Sequence, residues 1–74
     1  MVAVVIDRKT GRHVGEGDSF KRRGFMGIQY DYEIKEFVGT HSVRVTKTIR
    51  GENPVTLTAP MLSLQLDYVA SKDT

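Results

Sequence analysis

The chain is predicted to fold as an all-β domain, a small antiparallel barrel of five or six strands. Three observations carry that expectation. Met26, Ile28, Tyr30, Tyr32 and Ile34 share one parity, while Gly27, Gln29, Asp31, Glu33 and Lys35 share the other. A period of two sets the two rows on opposite faces of a strand, whereas a helix would scatter them around its circumference. Turn-forming residues recur at short intervals, at Gly11, Gly15, Gly17, Gly24, Gly39, Gly51 and Asn53-Pro54, so the strands between them are short. Val2 to Ile6 is β-branched apart from Ala3, the pattern of a strand covered on both faces or entering a barrel.

Taken in order, the strand at Val2–Ile6 ends in Asp7-Arg8-Lys9-Thr10-Gly11, where an Asp side chain starts a turn and Gly11 supplies a positive φ. Arg12-His13-Val14 is a short return strand, and Gly15-Glu16-Gly17-Asp18 a second turn. Ser19 to Arg23 reads as a loop or strand start, and Gly24 breaks it before the long strand, Phe25 to Val38. Gly39-Thr40-His41-Ser42 reverses the chain into 43–50, so 25–38 and 43–50 form a hairpin with a loop of about four residues. In 43–50 Val43, Val45 and Ile49 make the apolar row, which Lys47 interrupts, so Lys47 is expected near an edge. After Gly51-Glu52-Asn53-Pro54, residues 55–59 add the second half of another hairpin. Pro60 favours a short 3-10 turn near 61–64, followed by a closing strand near 65–69, an unbroken strand over 61–69 being the close alternative. Residues 70–74 are expected to be a frayed tail. Closure into a barrel removes the open edges that so short a chain would otherwise expose.

Seventy-four residues form one domain, and a chain of that length buries a small fraction of its surface. There is no cysteine, so neither a disulfide nor a thiolate metal site reinforces a thin core, and packing or self-association must supply the stability. Eleven Lys and Arg against nine Asp and Glu leave a net charge of +2, too mild to argue for nucleic acid alone. No apolar run is long enough to cross a membrane as a helix, and MVAVVI lacks the features of a leader, so a cytoplasmic protein is expected.

Enzyme signatures are missing from the sequence. His13 and His41 fall in or beside turns, and no third ligand stands at metal-site spacing. Asp31 and Glu33 share the polar row of the long strand, where a solvated face explains them better than acid–base chemistry, with Glu36 close by. Gly15-x-Gly17 has no phosphate-binding Lys and Ser or Thr after it. No cofactor and no small-molecule substrate is indicated. The strongest binding candidate is Lys21-Arg22-Arg23, flanked by Phe20 and Phe25, with Arg44, Lys47 and Arg50 adding charge from the hairpin. Bases interleaved with aromatics suit a partner surface, or a nucleic-acid surface in which charge tracks phosphates and rings stack on bases. Phe37 breaks the alternation of the long strand, and Met61 stands out similarly. Each is expected to mark either a bulge or a self-association contact.

Val5-Ile6-Asp7-Arg8-Lys9-Thr10-Gly11, then Gly17-Asp18, Phe20 and Arg23-Gly24, and the Pro-led segment Ala59-Pro60-Met61-Leu62 through Leu66-Asp67-Tyr68-Val69, resemble a group of small proteins encoded by actinobacterial phages. Lys21 and Arg22 interrupt the Phe-Arg-Gly segment of that group. The resemblance implies a phage accessory protein in a host cell and brings no activity with it. The order of long hairpin, short hairpin, Pro-led turn and final strand also resembles an SH3-like barrel, an analogy of fold alone. The expected function is thus a non-enzymatic binding module, acting on a protein partner or on itself, with nucleic-acid binding as the alternative.

Overall fold

The computed structural model describes the backbone of residues 2–71 and the side chains of 4–69. Its elements are β1 (Val2–Asp7), β2 (His13–Val14), β3 (Ser19–Arg23), β4 (Gln29–Val38), β5 (Ser42–Ile49), β6 (Val55–Pro60) and β7 (Leu66–Ser71), with 3-10 turns at Phe25–Gly27 and Met61–Leu64. The all-β class is therefore as read from the sequence, and so is the turn before the last strand.

A closed barrel is not formed. The strands make two antiparallel sheets, β2-β1-β7 and β3-β4-β5-β6, with no ladder joining them. The sheets share one core. Val5 and Leu66 from the smaller sheet meet Phe20, Tyr32, Ile34, Val43 and Val45 from the larger, and Met61 and Leu64 fill in from the second turn. Burying a row of this kind stabilises by roughly 1.5–3 kcal/mol per large side chain. The gap between the sheets is spanned by side chains instead of backbone. Arg22 on β3 reaches Asp7 at the end of β1, 2.7 Å away.

The long strand starts four residues later than the alternation suggests. Arg23 pairs with Gln29, so the chain must reverse within 24–28. Met26 adopts the left-handed region at φ 57° and ψ 27°, and Gly27 follows at φ 75°. Gly24 N–H donates to Ile28 O at 2.6 Å and closes the hairpin. Ser19–Arg23 is accordingly a full strand, because Phe20 and Arg22 turn inward while Ser19, Lys21 and Arg23 turn out.

β4 carries a bulge. Ile34 pairs with Val45 but Glu36 with Arg44, leaving Lys35 as the extra residue. The bulge shifts the parity and returns Phe37 to the inner face, where it packs against the core. Met61 is 2% exposed and wholly part of that core. Met61 is thus not available as the self-association contact expected of it, while for Phe37 the bulge expected as the alternative is formed. β7 extends to Ser71, its Ala70 and Ser71 paired with Ala3 and Val2, so these two are strand rather than tail; the rest of the expected tail, 72–74, lies outside the described residues.

The molecule is elongated, 44 × 20 × 17 Å, because the β4–β5 hairpin outruns the smaller sheet. At its far end Tyr30, Lys47 and Ile49 are only half-buried, and Val55 is 58% exposed. No helix among the described residues is long and apolar enough to cross a membrane.

Candidate functional site

β3 divides the basic and aromatic cluster between two faces. Period-two alternation sends Phe20 and Arg22 to the core and leaves Lys21 and Arg23 in solvent. Phe20 stacks on Tyr32 with ring centroids 5.3 Å apart, and Tyr30 lies 6.5 Å beyond. The Arg22 guanidinium sits 4.6 Å above the Phe20 ring. Its Nε donates to Leu64 O at 3.0 Å, one Nη to Lys21 O at 2.8 Å and the other to Asp7 Oδ1 at 2.7 Å. Side-chain exposures of 10% for Arg22 and 5% for Asp7 make this a buried, satisfied ion pair. Asp7 Oδ1 also accepts Lys9 N–H at 2.9 Å, so the pair fixes the first turn as well. Phe20 and Arg22 are therefore structural and leave the list of partner-contacting residues.

The same low-dielectric layer affects Tyr32. Burial pushes its hydroxyl above the ordinary value of 10.0, the neighbouring Tyr30 adds to the rise, and Arg22 opposes it.

The remaining basic residues spread out. Lys21 faces Asp31 across the β3–β4 ladder. Arg44 pairs with Glu36 at 3.1 Å, and Lys35 approaches Glu33 at 3.6 Å. The outer face is thus a mixed-charge surface of ordinary partners, cross-strand at Arg44–Glu36 and Lys21–Asp31 and within β4 at Lys35–Glu33. Lys47 belongs to the inner parity and lays its ammonium 4.3 Å over the Tyr30 ring, covering the open end of the core.

Registers Arg23↔Gln29 and Tyr30↔Ile49 bring the 24–28 and 50–54 turns to one end of the large sheet. Arg23, Phe25 and Arg50 lie at that end, as does Met26, which the sequence assigns to the inner row of a strand. Phe25 is 80% exposed and Met26 84%. At Gly24 a Cβ would run into the Tyr30 ring, so the backbone passes directly over that side chain. Glycine at position 24, before Phe25 and Met26, is the available signal. It marks a close backbone approach, but it cannot say which side chain is approached.

At the opposite end an open groove of about 510 Å³ is lined by Thr40, His41, Pro60, Met61, Leu66 and Tyr68, among others. His41 Nδ1 lies 2.7 Å from Thr40 Oγ1. No cluster of three metal-ligating residues occurs among the described residues. No family model matches the chain, and no curated protein or solved structure resembles it at significance.

Proposed function

We propose that this protein is a non-enzymatic binding module that contacts another protein through the end of its four-stranded sheet. Phe25 and Met26 are the apolar anchors, and Arg23 and Arg50 flank them. The observation that carries this reading is the adjacent pair Phe25 and Met26, 80% and 84% exposed, projecting from the β3–β4 turn. The left-handed turn is set by the β3–β4 reversal, and it leaves two large apolar side chains in water, where they gain nothing in the isolated chain. Burial against a partner would release that cost. Aromatic, Met and Arg side chains are the types enriched where proteins meet, and a few central anchors carry most of the energy.

Nucleic-acid contact remains the second reading, because Lys21, Arg23 and Arg50 are all exposed. Against it stand the loss of Phe20 as a stacking ring and the carboxylate of Asp31 opposite Lys21. The two readings separate in solution. Light-scattering mass with a mixed-sequence single-stranded oligonucleotide, at two salt concentrations, should show no complex. A complex that weakens steeply with salt would replace the protein-contact reading with phosphate binding. The sequence resemblance to phage proteins supports a setting in a host cytoplasm, and the SH3-like order of elements supports a small binding domain. Neither names the partner.

A further inference from the structure

We infer that β6 is a self-complementary edge through which two copies of the chain pair, antiparallel, about a two-fold axis at Leu57. The inference stands apart from the tip at Phe25 and Met26, which lies outside β6.

β6 is an outer strand of the larger sheet, and among the described residues nothing pairs with its free side. Its exposed backbone groups follow from the ladder. Met61 N–H donates to His41 O at 2.7 Å, in line with the register Ser42↔Pro60. Hydrogen-bonded pairs alternate along an antiparallel ladder. Ala59, Leu57 and Val55 therefore direct their N–H and C=O at β5, while Thr56 and Thr58 direct theirs outward. Pro60 sits where its missing N–H would face the free edge, the one place a sheet tolerates it.

Other edges are guarded. β2 is two residues long, β3 carries Lys21 and Arg23 and has the Lys21 carbonyl covered by Arg22, and β7 carries Asp67. β6 reads Val-Thr-Leu-Thr-Ala-Pro, without a charge. Such an edge templates another strand.

The order of residues selects a second copy as that strand. Val55-Thr56-Leu57-Thr58-Ala59 is near-palindromic about Leu57. Antiparallel pairing about that residue sets Leu57 opposite Leu57 of the partner subunit, each Thr56 opposite a Thr58, and each Val55 opposite an Ala59. The apolar row meets an apolar row and the threonine row a threonine row. Each Thr56–Thr58 pair exchanges two hydrogen bonds, and Pro54 and Pro60, which meet at both ends, stop the ladder there. No like charges are brought opposite one another. The two Lys47 side chains lie beside rows four residues apart, roughly 13 Å, beyond the Debye length at physiological salt. The half-exposed inner strip at Val55 and Leu57 continues into its counterpart. A five-residue edge, roughly 17 Å by 10 Å, is well below the roughly 800 Å² per partner of a stable interface, so the dimer is weak and forms at high concentration.

The test uses the full chain. Sedimentation equilibrium over a wide concentration range should show the mass rising from one chain towards two. Thr58→Pro removes an outward N–H without touching the β5 ladder and should hold the mass at one chain. If that variant folds poorly, Thr56→Lys with Thr58→Lys sets lysines opposite lysines and should do the same. The register has its own readout, because the chain has no cysteine. Leu57→Cys places two thiols in a non-hydrogen-bonded pair within disulfide reach and should oxidise to a covalent dimer. Val55→Cys, whose copies are about 13 Å apart, should not. A mass fixed at one chain, an association that survives both edge variants, or equal cross-linking at 55 and 57 would each overturn the proposal.

Discussion

Arg22 offers the sharpest test of how the two sheets are held. Arg22→Met keeps an unbranched chain at this position and deletes the guanidinium, with its contact to the Phe20 ring. Three donated hydrogen bonds are lost, to Leu64 O, Lys21 O and Asp7 Oδ1. The larger consequence falls on Asp7, 3% exposed, whose carboxylate keeps only the Lys9 N–H. Breaking a buried pair on one side costs about 3–5 kcal/mol. A 74-residue domain has about 4–11 kcal/mol in total, so the variant should lose about a quarter or more of its stability. At about 4–8 °C per kcal/mol for this size, the melting temperature should fall by well over 10 °C. Urea unfolding followed by far-ultraviolet circular dichroism measures it. Adding Asp7→Asn to Arg22→Met removes the stranded charge and keeps the acceptor for Lys9, so the double variant should recover at least ~1 kcal/mol over the single. A loss under ~1 kcal/mol in Arg22→Met, or no recovery in the double variant, would refute the staple.

Two further outcomes follow from the core. The Tyr32 hydroxyl is held above its ordinary 10.0 by burial, so the folded state keeps its proton longer than the unfolded chain. The stability this contributes is complete below pH 10 and is lost as the pH rises through the raised value; Tyr32→Phe should unfold less steeply with alkali than the parent, and parallel pH profiles would contradict the assignment. Met61→Ala should cost about 2–5 kcal/mol and leave the association state unchanged, whereas a stable variant with altered mass would return Met61 to the surface.

Much of this architecture is legible in the chain because turns and alternation are local. Asp7 to Gly11, the Gly39 reversal and the Pro60-led 3-10 turn all declare themselves by residue type. The misreadings share a different cause. The parity of Met26 and Ile28 runs unbroken into Tyr30, so alternation alone cannot reveal that 25–27 is a reversal imposed by β3 pairing. Arg22 looks solvated because a charge on an inward row is identifiable only once its partner, fifteen residues earlier, is in place. Barrel closure depends on equally distant partners: the two sheets share no ladder, and Arg22 and Asp7 bridge them through side chains. Phe37 shows how a single extra residue, Lys35, inverts the reading of everything after it. Of the site, Arg23, Phe25 and Arg50 are visible as basic and aromatic residues beside turns, while Met26 is concealed by its place in the apolar row.

The central claim is that binding resides in the apolar end of the large sheet and not in its basic face. Affinity capture with the tagged full chain at low and high salt, in three forms, tests it most directly. The parent and the Lys21→Ser, Arg23→Ser, Arg50→Ser variant should retain the same captured protein at high salt, the variant with at most a few-fold loss. The Phe25→Ser, Met26→Ser variant should fold normally and lose it by tenfold or more. Capture that survives loss of Phe25 and Met26 but vanishes with the three basic residues would contradict the account.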